Sequence, residues 1–154
     1  MKRIFSSLLC LLFIFSLVSC EDEIYGHCEL RLPIGEDYQR AEDENFDAVF
    51  TNGSYVVAIS RITFSAGFLQ GVPDTMSARE FAYFFMNKTD RNCELHTDSL
   101  TPYYIYFEDG YFYLNAFYRS PHAYFTVLLS ASEGLYPDCL DPFVEIINGA
   151  KFVY

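Results

Sequence analysis

Apolar residues are spaced in three different ways along this chain, and each spacing predicts a different element. Ile4 to Val18 carries no charge, and its Leu, Ile and Phe residues fall on every side of a helix. Cys28 to Leu32 alternates strictly (Cys, Glu, Leu, Arg, Leu), which predicts a half-buried strand that Pro33 and Gly35 end. Phe46 to Phe50 and Tyr55 to Phe64 predict two more strands. They flank Asn52-Gly53, a pair suited to a two-residue type I′ hairpin because both central positions need positive φ. Between the first strand and Phe46, the acidic residues around Tyr38 predict a loop, and Gly67, Gly71 and Pro73 break the chain further on.

Helical spacing then takes over. Ser77-Ala78-Arg79-Glu80 is a capping box, with Met76 and Phe81 at the staple positions, and Phe81, Phe84 and Phe85 form one stripe. This helix should end near Asn87 to Asp90. Tyr103 to Phe107, Tyr111 to Tyr118 and Tyr124 to Ser130 predict three strands, with a tight turn at Asp109-Gly110 and another at Ser120-Pro121. Asp141-Pro142 predicts an N-cap and a first-turn proline, followed by Phe143, Ile146 and Ile147 on one face and a stop at Gly149. Lys151 to Tyr154 should return to the sheet edge. The order βββαβββα predicts an α+β fold, an antiparallel sheet covered by helices as an α/β/α sandwich.

Composition narrows the classes. In 154 residues, 51% are hydrophobic and 19% aromatic, with 16 Phe and 13 Tyr, too apolar for a disordered chain and long enough for one core. Ten basic against twenty-one acidic residues give −11, the wrong sign for gripping a phosphate backbone, so nucleic acid is excluded as a partner class.

Lys2 and Arg3 before the apolar run make residues 1–19 a signal peptide, too short to span a bilayer. Its end, Leu17-Val18-Ser19-Cys20, resembles the bacterial lipoprotein lipobox at all four positions. The resemblance implies cleavage before Cys20, acylation of that cysteine and attachment to a lipid membrane of the bacterial cell envelope, the outer membrane being the expected one. Several acyl chains make such attachment stable. The mature chain would then hold eight basic and twenty-one acidic residues, or −13. Residues 20–26 form an acidic tether, and residues 27–154 a single globular domain. Glu21-Asp22-Glu23 resembles the export signal of surface lipoproteins in Bacteroides-like bacteria, and equally suits a solvated tether. Three thiols remain, Cys28, Cys93 and Cys139, and their spacing does not rank the possible pairings.

The strand and helix order resembles the PsbP-like and DcrB-like sandwich, a family rich in small bacterial lipoproteins. The matching pieces are Leu30-Arg31-Leu32-Pro33, the strand Tyr55 to Phe64, the capped helix at Ser77, the meander Tyr103 to Ser130 and the closing Phe143 to Ile147. The resemblance spans residues 28 to 153 and implies a non-catalytic accessory or binding role.

Candidate chemistry is sparse. His27, His96 and His122 stand apart, with no HxH, HExxH or CxxC, so no metal site and no cofactor is expected. Cys93 and His96 would suit a ligand pair only on a helix. Asp43 to Ser54 begins like an EF-hand loop but has Ala48 at the sixth position and Ser54 at the twelfth. No GxSxG or SxxK occurs, and no enzyme is expected.

Two surfaces remain as tentative binding sites. One is the acidic run Glu42-Asp43-Glu44, which would favour a basic protein partner and suits an immunity or inhibitor protein. The other is a sheet face carrying Tyr111, Tyr113, Phe117 and Tyr124, which would suit a glycan or peptide unless the helix Phe143 to Ile147 covers it. The expectation is a membrane-anchored accessory lipoprotein that binds a protein or peptide, with cell-surface glycan binding as the alternative.

Overall fold

The computed structural model describes residues 28–89 and 93–154. The signal peptide, Cys20, the tether and His27 lie outside the described residues. The strands are β1 (Glu29–Arg31), β2 (Gln39–Ala41), β3 (Ala48–Thr51), β4 (Tyr55–Thr63), β5 (Glu94–His96), β6 (Tyr103–Glu108), β7 (Tyr111–Arg119), β8 (Ala123–Ser132) and β9 (Lys151–Val153). The helices are α1 (Phe64–Leu69), α2 (Ala78–Lys88) and α3 (Leu140–Asn148), with a 3₁₀ turn at Glu133–Leu135.

Seven strands form one antiparallel sheet in the order β2-β3-β4-β8-β7-β6-β5. Its centre is long and apolar, with β4 paired to β8 from Tyr55↔Ala131 to Thr63↔Ala123 and β8 to β7 from Ser132↔Tyr111 to Tyr124↔Arg119. Strand alternation splits the side chains into two cores. On one face Phe112, Leu114, Phe125, Val127 and Leu129 are buried with Phe143 and Ile147 of α3 and Leu30 of β1. On the other, Tyr104, Phe117 and Tyr124 are buried with Phe81 and Ala82 of α2 and with Val72. This is the expected α+β sandwich of helices on an antiparallel sheet.

The capping box forms as expected. Glu80 N–H donates to Ser77 Oγ at 3.2 Å, and Ser77 N–H donates to a Glu80 carboxylate oxygen at 2.7 Å. Those hydrogen bonds hold the Glu80 carboxyl below the usual carboxylate range.

Several local expectations change. Asn52-Gly53 is not a two-residue type I′ turn, because only Gly53 has positive φ, at 87°. Instead Asn52 Oδ1 accepts the Ser54 and Tyr55 N–H groups, an Asx turn that satisfies the loop through a side chain. The acidic stretch includes β2, with Arg40 opposite Phe50. Gly67, expected to break the chain, is instead buried within the short α1, which Thr63 Oγ1 caps by accepting from Ala66 N–H at 3.3 Å, and Gly71 and Pro73 follow it. α3 begins before Asp141-Pro142, with Cys139 at its N-cap position, so both residues sit in the first turn. β9 does not join the main sheet. It pairs with β1 as a separate ribbon, Glu29↔Val153 to Arg31↔Lys151, under the α3 face.

Cys28, Cys93 and Cys139 are free thiols. Cys28 and Cys139 lie in the α3-side core and Cys93 against the α2-side core, so the sheet separates Cys93 from the other two. Among the described residues no helix is long and apolar enough to cross a membrane.

Candidate functional site

The β6–β7 hairpin builds one end of the sheet. Asp109 and Gly110 both have positive φ, 52° and 79°, the pattern a two-residue type I′ turn needs. Glu108 pairs with Tyr111 and Phe107 with Phe112. β8 runs alongside as far as Ser132, opposite Tyr111, and the chain then folds over the hairpin. Glu133 N–H donates to the Gly110 carbonyl at 2.9 Å, which fixes the 3₁₀ turn against it. Cys139 N–H to the Leu135 carbonyl, at 3.0 Å, carries the chain into α3.

Residues 107–111 and 132–138 are consequently exposed side by side. Their large apolar side chains are held open to solvent: Phe107 is 47% exposed, Tyr111 50%, Leu135 39% and Tyr136 37%. The rings are braced from below. Tyr136 meets Phe107 edge-on at 5.1 Å and lies 4.9 Å from the ring of buried Phe112, which stacks on Phe143 at 6.1 Å. On the opposite face of the hairpin, Tyr111 lies 6.3 Å from Tyr113, which stacks on Tyr106 at 4.8 Å. Glu108, Asp109, Glu133 and Asp138 share this end, and neither Tyr103–Tyr118 nor Ser120–Ala150 contains a lysine or arginine. Exposed, pre-braced aromatic rings on an end rich in acidic residues can bind, because apolar area is released from water with little side-chain ordering.

The residues predicted from the pattern land in different places. Phe117 and Tyr124 are both 0% exposed, so they offer no area to a partner. They lie under α2, where Phe81 stacks on Tyr124 at 4.2 Å and meets Phe117 at 5.7 Å, and not under the closing helix as expected. Tyr124 Oη donates to the Pro73 carbonyl at 2.7 Å, and burial pushes its pKa up. Its hydroxyl ties the chain before α2 to the sheet. Tyr111 remains exposed and Tyr113 half-buried.

Glu42, Asp43 and Glu44 form the exposed β2–β3 turn, in which Asp43 Oδ1 accepts from Asn45 N–H at 2.9 Å. An open groove of about 590 Å³ beside it is lined by Arg40 as well as these acids, so a cation of the chain itself faces them. This turn sits on the β2–β3 side of the sheet, three strands from β7, and the fold does not bring it to Tyr111. Cys93 and His96 do not form a pair. The segment is β5, which puts Cys93 on the α2 side, while the His96 ring stacks on Tyr103 of the α3-side core at 4.7 Å. Among the described residues no group of three or more His, Cys, Asp or Glu could hold a metal ion.

Phe107, Leu135 and Tyr136 fall outside the sites predicted from the sequence. Their signal is present there nonetheless: Leu135-Tyr136 is an apolar pair in a turn, between Glu133 and Asp138, where polar residues are the norm.

No family model and no curated protein matches this chain. Among solved structures it is similar to a crystal structure from Bacteroides thetaiotaomicron VPI-5482, with TM-score 0.53 and 13% identity over 81% of this chain and 45% of that one. The chain thus spans less than half the length of that protein. It is also similar to LpqN, involved in cell envelope biogenesis of Mycobacterium tuberculosis, with TM-score 0.48 and 11% identity over 84% and 86% of the two chains. The solution structure of cyanobacterial PsbP (CyanoP) from Synechocystis sp. PCC 6803 matches with TM-score 0.52 and 16% identity over 82% of this chain and 92% of that one. Antiparallel sheet, flanking helices and this near end-to-end match together make the fold of residues 28–154 PsbP-like.

Proposed function

We propose that this protein is a lipoprotein of the bacterial cell envelope, held in the outer membrane by acylated Cys20, that binds a protein or peptide and catalyses no reaction. The observation that carries the binding role is the exposed aromatic and acidic end at 107–111 and 132–138. The fold's layout supports it. Leu30, near the start of the described chain, pairs with Phe152, whose ring is 5.7 Å from Phe125. Ser132 at the exposed end is seven residues further along β8, roughly 23 Å away at the rise of a strand. A tether entering at β1 leaves that end clear of the membrane.

The acid excess favours a basic partner and speeds its association. An immunity or inhibitor protein that neutralises a basic toxin is the specific form of this reading. The test is co-purification from native envelope, comparing the lipidated protein with Cys20→Ser under low-salt and high-salt washes. One stoichiometric basic protein, lost at high salt, is the expected result. Capture of glycan alone, or of nothing, sinks the reading. Labelled palmitate should enter the native protein and be absent from Cys20→Ser.

A second reading rests on the Tyr106–Tyr113–Tyr111 row, whose outer member is half exposed. Flat aromatic rows suit sugar rings. On that reading Tyr111→Ala and Tyr113→Ala abolish glycan binding, and charge changes at Glu42, Asp43 and Glu44 leave it intact.

A further inference from the structure

We propose that the end formed by 107–111 and 132–138 docks an arginine- or lysine-bearing segment of a protein partner, with the cationic head seated against the paired rings of Phe107 and Tyr136. This rests on the protein-binding reading above and names both the surface and its chemistry.

Aromatic faces carry negative electrostatic potential and attract ammonium and guanidinium groups. Elsewhere the chain answers that attraction with its own cations: Lys88 Nζ sits 4.1 Å from the centre of the Phe84 ring, and Arg119 5.4 Å from that of Phe64. Among the described residues no lysine or arginine sits over the Phe107 or Tyr136 ring. The flanking sequence supplies carboxylates from Asp109, Glu133 and Asp138 and no lysine or arginine across Tyr103–Tyr118 and Ser120–Ala150. The site is also stiff. Phe112, stacked on Phe143, supports the Tyr136 ring, and the Glu133-to-Gly110 hydrogen bond locks the two exposed segments together. A partner therefore orders little on docking. The Glu42–Glu44 turn differs in that its groove is lined by the single ring of Phe46 and by Arg40, a cation of the chain itself.

The experiment titrates the purified protein with hexa-arginine, with neutral hexa-citrulline and with cellohexaose, following the Tyr and Phe ring resonances by NMR at fixed ionic strength. Hexa-arginine should shift Phe107 and Tyr136, and hexa-citrulline should bind at least about tenfold more weakly. Phe107→Leu with Tyr136→Leu keeps apolar bulk and removes the rings, and should weaken hexa-arginine about 2- to 30-fold. Should that pair fail to fold, Glu133→Gln with Asp138→Asn carries the same test on side chains exposed to solvent. The control Glu42→Gln, Asp43→Asn, Glu44→Gln should change it less than about twofold.

Equal binding of citrulline, equal loss in the control, or cellohexaose shifting the same rings overturns the proposal. Native-envelope capture separates its failure from that of the broader reading. A partner still captured by the Phe107→Leu, Tyr136→Leu protein overturns this surface and leaves the accessory role standing. No partner captured by the unaltered protein overturns the accessory role, and hexa-arginine still decides the chemistry of the end.

Discussion

Phe81 shows what a single ring does in this molecule. It stacks on Tyr124, meets Phe117 and Phe85 edge-on and is fully buried, so it closes the α2-side core. Phe81→Ala should lower unfolding free energy by about 3–5 kcal/mol, through lost transfer energy and the cavity left behind, as read from the urea midpoint. Tyr118 is the opposite case, a buried ring with a polar tip. Its hydroxyl donates to the Ile147 carbonyl at 2.8 Å, and burial pushes its pKa far above the ordinary tyrosine value. A folded pKa above the unfolded one means the neutral phenol stabilises the native state fully below about pH 10. That contribution is lost as pH rises beyond it, because only the unfolded chain then ionises readily. The urea midpoint should therefore fall between about pH 9.5 and 11, and Tyr118→Phe should flatten the fall while costing about 1 kcal/mol at neutral pH.

At the scale of elements, ends matter more than middles. The Ser77–Glu80 box starts α2 and thereby positions Phe81 over the sheet. Ser77→Ala should cost about 1 kcal/mol. The Glu80 carboxylate has its pKa lowered by the bonds it accepts, so its contribution is present above the ordinary carboxylate pKa and disappears as pH falls through that value and below. A double Ser77→Ala, Glu80→Gln protein should show a shallower loss of stability below about pH 4.5 than the unaltered protein. α3 ends where Gly149 passes Pro33: a Cβ there would lie 2.7 Å from Pro33 Cγ, inside any real contact. Gly149→Ala should therefore cost about 1–3 kcal/mol by displacing the Pro33 segment from α3, seen as a lower melting temperature.

For the whole molecule, the sheet acts as a partition. Cys28 and Cys139 are buried on one side, and burial pushes the Cys139 thiol up, while Cys93 is partly exposed on the other. Iodoacetamide on the folded Cys20→Ser protein should modify Cys93 first, and Cys28 and Cys139 only when denaturant opens the core. Mass spectrometry under denaturing, non-reducing conditions should then find all three alkylated. A persistent unmodified pair would mean that a bridge joins Cys28 and Cys139.

The split between local pattern and tertiary packing runs through particular residues. Alternation along β7 and β8 is enough to separate Phe112, Leu114, Val127 and Leu129 from Tyr113, Phe117 and Tyr124, since strand period is a local property. The capping box, the Asp109-Gly110 turn and the succession of long strands along the chain are legible for the same reason, as each depends on a few neighbouring residues. Periodicity cannot say which helix covers which face. That depended on packing between segments some forty residues apart, and it put α2, not α3, over Phe117 and Tyr124. Strict alternation marks β1 as a strand, but its pairing with β9, some hundred and twenty residues away, has no local signal. The candidate site follows the same rule. Tyr111 is visible as part of a tyrosine-rich strand, but Phe107, Leu135 and Tyr136 become one surface only because the Glu133 amide closes the chain onto Gly110. The residues along each strand or helix carry its own pattern. Which of those patterns meet solvent is decided by contacts distant in sequence, where burial energy is won or lost.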